Sequence, residues 1–434
     1  MKKLEKPAKV CAGVGIGLIV LAIGLGSYFI QRDGWSIPES VIEEERSVYV
    51  QLRSDDPEQV ARGRERVVEY NRAMKEILGR HPELQPEWKS VKPEDNGYLK
   101  LMQLAERYAG EDEPYEPTLG FPREIVNAIN ELEEWDVDTL RAYFLKEEDL
   151  VDEIRSIGLM PERSMAGTDM DGFFELYPAN FIKQCADLLC LDARFAAKEG
   201  HKERALSSLL AAQGIAEHVC QIEAPSLIHE TVGILVQFTV FGAAVHDVIS
   251  DLGLTQDEIS DLRKKLKPRT NRDMRRVIKG EFYVGTRALL MPYVHPVGNT
   301  EAAYIIPDLD ILYDEHAESF KHYMKILSWL SIRGLFEIQE NPWPYKLKSE
   351  LSKPAREIVG DVSFLSFWVY GNGFRRTQII YRYHDAVLAI AAGEEPPVEL
   401  LTGEPFVFDP VTRELGLPDD DLLEEQGVNL VVVP

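Results

Sequence analysis

The stretch that decides the fold is residues 181–220, FIKQCADLLCLDARFAAKEGHKERALSSLLAAQGIAEHVC. Its apolar residues recur every three or four positions on both sides of Gly200, which places them on one face of each of two helices. Glycine readily adopts the left-handed conformation that closes a helix, so Gly200 should form the turn. The stretch therefore predicts a helical hairpin whose alanines let the two backbones approach closely: Ala196, Ala205 and Ala212.

A third helix is predicted to follow at residues 226–245. It is apolar on nearly every side, which is typical of a buried helix. Its uncharged run, residues 231–245, is shorter than the ~20 residues that a helix needs to cross a bilayer. The three helices are therefore expected to form the centre of a soluble domain.

The first thirty residues predict a membrane anchor. Residues 1–9 carry four lysines and one glutamate, and residues 10–30 carry no charge. An uncharged run of this length can span a bilayer, and the lysines mark its cytoplasmic end. We expect a single-pass protein of the bacterial inner membrane, with the bulk of the chain in the periplasm. A cleaved signal peptide, with Gly24 and Gly26 near its cleavage site, is the alternative reading.

Net charge limits the possible partners. The chain carries a formal net charge of −25, and its exported part is more acidic still once the basic leader is set aside. Such a surface repels nucleic acid, so we expect no nucleic-acid partner. Small residues spaced four apart in the anchor, such as Gly13 and Gly17, allow two anchors to pack and leave a homo-oligomer possible.

Three cysteines lie in the predicted helices, and the fourth, Cys11, lies in the anchor. Cys185 and Cys190 are five positions apart on one helix and are too distant to bridge each other. Folding the hairpin brings Cys185 opposite Cys220, so a disulfide between them is geometrically possible in an oxidising compartment. Buried free thiols are the default expectation.

The remaining periodicity predicts a mainly α fold: an irregular helical bundle or helical-hairpin array, with an N-terminal transmembrane helix and a small C-terminal β tail. A capping box is predicted at Thr255 and Glu258, where the threonine begins a helix and the glutamate follows three residues later. Helices are predicted at 57–80, 98–109, 122–135, 137–144, 148–157, 255–266, 271–290, 309–336, 353–370 and 375–392, and strands at 404–408, 412–417 and 428–433.

The helix at 375–392 is predicted to be amphipathic, with Tyr383 and Val387 inward and Arg382 and Asp385 on the solvent side. The changes in composition along the chain suggest five units. They are a basic leader (1–9), a transmembrane helix (10–30), an N-terminal helical and loop region (31–177), a helical core domain (178–392) and a short-strand tail (393–434).

Two pairs of residues are candidates for chemistry. Asp169 and Asp171 stand two apart before Gly172, which is similar to the nucleophile loop of haloacid-dehalogenase-type phosphatases. No apolar strand precedes them, so a solvated acidic turn is the preferred interpretation. Glu318 and His322 share a helix face near other carboxylates and could hold a cation, although an exposed ion pair is the simpler interpretation.

Histidines His218, His229 and His246 flank the central helices, but none has a second histidine four residues away as helical metal sites usually do. The sequence also contains no glycine-rich phosphate loop, no serine-nucleophile elbow and no CxxC pair. We therefore predict no catalytic residue, no cofactor and no metal.

Two motifs add a resemblance. The spacing of Gly200, Ala205 and Ala212 resembles the second half of a tetratricopeptide unit, and it occurs once. Together with Arg375-Arg376-Thr377 and the tail LTGEPFVFDP at 401–410, it resembles a group of bacterial membrane-anchored helical proteins whose tails are similar to the C-terminal strands of type II secretion pseudopilins. The resemblance implies no catalytic residues.

These observations favour a membrane-anchored extracytoplasmic scaffold or protein-interaction module whose partners are other envelope proteins. The alternative is an envelope hydrolase, either phosphatase-like through Asp169 and Asp171 or metal-dependent through Glu318 and His322.

Overall fold

A computed structural model describes four parts of the chain and five further positions. These parts are residues 51–166 except 53, 81, 110–116 and 131–134; residues 178–266 except 242–244; residues 381–399; and residues 403–416 with 431–433. The five further positions are 276, 277, 279, 280 and 283. The predicted transmembrane helix at 10–30 and the predicted helices at 309–336 and 353–370 lie outside the described residues. The described residues are mainly helical, which confirms the predicted fold class at that level.

The helices run in chain order from α1 to α10, and helical residues 381–391 follow them. Their bounds are α1 Pro57–Arg80, α2 Gly97–Arg107, α3 Arg123–Ile129, α4 Val137–Lys146, α5 Glu148–Gly158, α6 Ala179–Lys198, α7 Lys202–Cys220, α8 Leu227–Thr239, α9 Val245–Leu252 and α10 Gln256–Leu266. Short 3₁₀ turns occupy Pro82–Leu84 and Pro93–Asp95. Within the described residues, no helix combines the length and the apolar character that a membrane crossing requires.

The predicted hairpin is confirmed as α6 and α7. Gly200 has a φ of 75°, and the N–H of His201 donates to the carbonyl oxygen of Ala196 at 2.8 Å. The N–H of Gly200 donates to the carbonyl oxygen of Ala197 at 2.9 Å. These two bonds form a Schellman motif, which satisfies the last carbonyl groups of α6 and requires a left-handed residue at Gly200.

The hairpin lies at the centre of the fold, as predicted. Helix α7 packs against α2, α5, α6, α8, α9 and α10, and its small residues Ala205, Ala211 and Ala212 are fully buried. The third helix is shorter than predicted, because α8 ends at Thr239 and residues 240–241 form a wider π-type turn. The run of apolar residues continues across that turn, so the apolar character on which the prediction rested gave no sign of it.

The capping box at the start of α10 is confirmed. The backbone N–H of Thr255 donates to the Glu258 carboxylate at 3.0 Å, and the backbone N–H of Glu258 donates to the Thr255 hydroxyl at 3.4 Å. Hydrogen bonds from Lys202, and to a smaller extent from Thr255, lower the pKa of Glu258 to about 2. The glutamate is therefore charged at neutral pH, as the positive end of a helix dipole favours.

Helix α6 and the 381–391 helix were each predicted to have one buried face, but both are buried on more than one side. In α6, the charged residues Asp192 and Arg194 are buried together with the apolar ones. The prediction that Asp385 faces solvent is wrong, since it is 8% exposed. Arg263 of α10 donates to its two carboxylate oxygens at 2.7 and 3.0 Å, and this pairing makes the burial of the charge possible.

The three predicted tail strands are confirmed with shorter bounds: β1 Val407–Phe408, β2 Glu414–Gly416 and β3 Val431–Val432. They form an antiparallel sheet in the order β1-β2-β3, with Phe408 opposite Leu415 and Leu415 opposite Val431. The Tyr383 hydroxyl donates to the Leu415 carbonyl at 2.5 Å and fixes the sheet to the 381–391 helix.

One large apolar core extends from α2 to the tail sheet, and α1 contributes no residue to it. It includes Leu101 and Ile154 from the N-terminal region, the hairpin residues, and Phe406, Leu415 and Val433 from the tail. The domain limits predicted at 177/178 and 392/393 stay predictions.

Helices α5 and α7 cross with their backbones in direct contact. A Cβ atom added to Gly214 would lie 1.8 Å from the carbonyl oxygen of Gly158, and one added to Gly158 would lie 2.3 Å from the carbonyl oxygen of Ala211. Both obstructing atoms belong to helical backbone, so neither can move aside in the way that a flexible side chain can.

We therefore expect Gly214→Ala to lower the free energy of unfolding by about 3 kcal/mol, at the upper end of the range for overpacked sites. Urea unfolding followed by circular dichroism measures the effect. Gly79→Ala in α1 is the matched control, because no atom lies within 4 Å of the added Cβ. It should raise stability by about 0.5–1 kcal/mol through helix propensity alone. Equal effects at the two sites would show that the crossing is not as close as described.

Candidate functional site

The residues predicted to carry chemistry lie outside the described parts of the chain. Asp169, Asp171, Glu318 and His322 all belong to segments that the structure does not describe, so their roles stay predictions. Within the described residues, no group of three or more His, Cys, Asp or Glu side chains is arranged to hold a metal ion. The histidines named from the sequence are described: His218 and His229 are buried, His246 is half-buried, and each makes a polar contact.

The largest set of buried polar side chains lies where α2, the segment after α5 and the turn between α7 and α8 meet. We call it the polar cluster, and each member is at most 5% exposed: Asn96, Tyr98, Ser164, Glu223, Ser226 and His229. Of these, only His229 was a candidate from the sequence. The others come from three separate parts of the chain, so no local spacing could have grouped them.

Glu223 links three segments within the polar cluster. One carboxylate oxygen accepts hydrogen bonds from the Ser164 hydroxyl at 2.6 Å and the Lys89 backbone N–H at 3.0 Å. The other accepts from the Met165 backbone N–H at 3.0 Å. Three donors compensate the loss of hydration at this buried carboxylate. Glu223 therefore holds the loops around residues 89 and 165 against the end of α7.

Ser226 and His229 form an unusual capping box at the start of α8. The His229 backbone N–H donates to the Ser226 hydroxyl at 3.5 Å, and the Ser226 backbone N–H donates to His229 Nδ1 at 3.3 Å. A histidine here occupies the position where glutamate or glutamine is usual. Since Nδ1 accepts a backbone N–H, the hydrogen-bond network assigns the ring proton to Nε2, which lies 3.3 Å from the Tyr98 hydroxyl oxygen.

The same pair has the arrangement of a serine nucleophile and its base, since the Ser226 hydroxyl oxygen lies 2.7 Å from His229 Nδ1. Burial lowers the pKa of His229 to about 3, so the imidazole is neutral at pH 7. Burial also raises the pKa of Tyr98, and the nearby Glu223 carboxylate adds to this. Ser226 and His229 are only 4% and 3% exposed, so this arrangement serves to cap α8 in the conformation described.

A histidine pair joins α9 to the 381–391 helix. His246 Nε2 lies 3.0 Å from His384 Nδ1, and the His384 ring stacks on Phe241 with a centroid distance of 6.3 Å. Burial lowers the pKa of His246 to about 4 and holds the pKa of His384 well below its usual value, which the neighbouring imidazole lowers further. When both rings are neutral, one ring can donate its N–H to the unprotonated nitrogen of the other. Each histidine is followed by an aspartate that pairs with an arginine of another helix, Asp247 with Arg194 and Asp385 with Arg263.

The third buried polar group surrounds Asp192, which is fully buried in α6. One carboxylate oxygen accepts from Arg204 of α7 at 2.5 and 3.0 Å. The other accepts from Arg155 of α5 at 2.9 Å and from the Ser208 hydroxyl at 2.5 Å. We call Asp192, Arg155, Arg204 and Ser208 the Asp192 network. It connects α5, α6 and α7.

The three described cysteines are free and buried, which confirms the default expectation, and the Cys185–Cys220 disulfide is not formed. Burial raises the pKa of the Cys185 and Cys190 thiols, and the Asp187 carboxylate adds to the effect. The Cys220 thiol donates to the carbonyl oxygen of Ala216 at 2.7 Å. Protonated, buried thiols are poor nucleophiles.

We expect Cys185, Cys190 and Cys220 to resist alkylation in the native protein and to react fully once it is unfolded, without any reductant. Mass spectrometry after treatment with iodoacetamide, with and without urea, measures both states. Fast labelling of the native protein would contradict the burial. A pair of thiols that stays unlabelled in urea until reductant is added would reveal a disulfide.

Comparison of the chain with models of protein families, with curated proteins and with solved structures finds no match. The resemblance stated from the sequence motifs therefore stays a prediction. Functional inference rests on the residues of this chain alone.

Proposed function

We propose that the protein is a membrane-anchored extracytoplasmic helical scaffold or protein-interaction module. The observation that supports this proposal most directly is the large apolar core, which includes residues of the central helices, the 381–391 helix and the tail sheet. A body packed in this way presents its surface residues in fixed relative positions, as a docking platform must.

The buried charges support the same proposal. Asp192, Glu223 and Asp385 each receive hydrogen bonds from residues of other segments, so each charge holds parts of the fold together. Breaking such a contact costs several kcal/mol, which disfavours alternative arrangements of the helices. In the proposed function, residues 10–30 anchor this body to the inner membrane and its partners are other envelope proteins or a second copy of the chain.

Membrane topology is the first test. A reporter enzyme that is active only outside the cytoplasm, fused after residue 434, should be active in cells, and a fluorescent protein that requires the cytoplasm should be dark. The opposite result would place the body in the cytoplasm and overturn the proposal. Deleting residues 10–30 should abolish the reporter activity.

Partner capture is the second test. We propose to cross-link cells chemically, purify the tagged full chain from its own membranes and identify the attached proteins. Gly214→Ala should reduce capture, because it disturbs the α5–α7 crossing, whereas Gly79→Ala should leave capture unchanged. Two results together would favour the hydrolase alternative. They are the absence of any specific partner and the hydrolysis of a generic phosphate ester by the wild-type protein but not by Asp169→Ala.

A further inference from the structure

The contact between His246 and His384 joins α9 to the 381–391 helix. His246 Nε2 lies 3.0 Å from His384 Nδ1, which is a hydrogen-bonding distance. One of these two nitrogens must therefore carry the proton, and the other must accept it. If both rings took up a further proton, both nitrogens would be donors and two positive charges would be in contact. The contact as described can accommodate at most one extra proton.

On the α9 side, the local charges do not favour a protonated ring. Asp247 follows His246 and accepts a hydrogen bond from Arg194 of α6 at 2.6 Å. The Asp247 charge favours a proton on His246, but burial has the larger effect and lowers the pKa of that imidazole to about 4. Because the arginine already balances the Asp247 carboxylate, little negative charge remains for His246.

On the other side, His384 is 7% exposed and lies against the rings of Phe241 and Tyr383, at centroid distances of 6.3 and 5.8 Å. Asp385 follows it and accepts from Arg263 of α10 at 2.7 and 3.0 Å. Burial and the neighbouring imidazole hold the pKa of His384 well below its usual value. A positive charge on His384 would therefore lose its hydration without gaining an unpaired carboxylate.

The 381–391 helix carries the tail sheet and is also held by α10. The Tyr383 hydroxyl donates to a carbonyl oxygen of β2 at 2.5 Å, so the sheet moves with the helix. Arg263 donates to the carboxylate of Glu394, just beyond the helix, at 2.5 Å. Hydrogen bonds from Ser260 and Arg263 lower the pKa of Glu394, so this ion pair keeps its charges in mild acid. The connection to α10 therefore persists at a pH at which an exposed histidine is protonated.

We propose that the contact between His246 and His384 is an acid-sensitive latch. When both rings carry an extra proton, the 381–391 helix and the tail sheet separate from α9, while Arg263 keeps the helix attached to α10. The opening is local, because the central hairpin of α6 and α7 stays closed. Histidine suits this role because its unperturbed pKa of ~6.5 lies within the range of mild acid. The latch does not depend on the proposed membrane anchor.

The size of the effect follows from proton linkage. A histidine that is protonated only in the open state favours opening about tenfold at about pH 5.5, because its pKa is then ~6.5. Two such rings favour opening about a hundredfold, and about tenfold is the minimum if the closed contact takes up one proton. The latch is therefore closed above the unperturbed pKa and weakens as the pH falls toward the lowered pKa of the closed state.

The experiment uses the full chain with Val387→Cys. Val387 is fully buried about one turn beyond His384, so a thiol at this position reacts only when the helix opens. A pyridyl disulfide modifies the thiols at about pH 7.5 and about pH 5.5, and mass spectrometry measures each site. Each rate is divided by the rate of the same thiol in urea at the same pH. The corrected rate at position 387 should rise about ten- to a hundredfold in acid.

The central hairpin provides internal controls, because its three buried cysteines should stay slower than position 387 at about pH 5.5: Cys185, Cys190 and Cys220. His218→Gln removes a buried histidine of α7 and should leave the acid response at position 387 unchanged. His246→Gln together with His384→Gln should reduce that response to less than about twofold.

Three results would overturn the proposal. They are a corrected rate at position 387 that does not change with pH, an equal rise at position 387 and at the three native cysteines, and an undiminished rise in the variant that lacks both histidines. The second result is the signature of general unfolding. It is read from the Val387→Cys protein alone, so the test holds even if the variant without the two histidines does not fold.

Discussion

Asp192→Asn is expected to lower the free energy of unfolding by about 3–5 kcal/mol, the usual effect of removing one partner from a buried ion pair. The asparagine side chain has nearly the same shape, so packing is preserved. Its neutral amide cannot balance the guanidinium groups of Arg155 and Arg204, and its NH₂ group faces their N–H donors. Urea unfolding of the purified protein at neutral pH measures the loss.

Asp138→Asn is the control for Asp192→Asn. The Asp138 carboxylate also pairs with an arginine, Arg141, at 2.6 Å, but its side chain is 90% exposed. Its loss should cost less than about 0.5 kcal/mol. Replacing Asp192, Arg155 and Arg204 together by apolar residues of similar size should cost much less than Asp192→Asn, because no buried charge is then left unpaired. If Asp192→Asn were as mild as Asp138→Asn, the Asp192 network would not be buried as described.

Acidification is expected to unfold the protein between about pH 6 and pH 4. Burial lowers the pKa of His218, His229 and His246 to about 4, 3 and 4, and the pKa of His384 lies well below its usual value. A histidine whose pKa is lower in the folded state stabilises the fold fully above its unfolded value of ~6.5. That stability is lost as the pH falls toward the folded pKa, because only the unfolded chain takes up the proton.

The size of the acid effect is large because several histidines contribute. A folded pKa of about 4 or below corresponds to a loss of about 2 kcal/mol at pH 5, so His218, His229 and His246 together lose about 6 kcal/mol, which is comparable to the total stability of a typical domain. Urea unfolding at about pH 7.5 and about pH 5 measures the difference. His218→Gln should reduce this pH dependence by about 2 kcal/mol, whereas His201→Gln should leave it unchanged, since His201 is exposed. Equal stability at both pH values would show that the histidines are accessible to protons.

The sequence predicted those features that depend on neighbouring residues. The turn at Gly200 and the capping box at Thr255 were predictable because each is determined within one or two helical turns. Helix α1 begins and ends where the pattern predicted it. The tail strands lie within the predicted ranges, and the turn between the first two begins at Asp409, whose carboxylate accepts from the Val411 N–H at 2.7 Å.

Long-range polar pairings were not predictable. Nothing in the sequence identifies Arg155 and Arg204 as the partners of Asp192. His246 and His384 are far apart in the chain, and Asp385 was assigned to solvent because helical periodicity gives no information about which arginine of another helix is close. Glu223 and Tyr98 were overlooked because the polar cluster is assembled from parts of the chain that are far apart in sequence.

The tail sheet has a consequence for biosynthesis. Val433 and Leu415 pack in the same core as α2 and α5. The apolar residues that they cover therefore stay open to water until the tail has left the ribosome, and the complete core can form only after that.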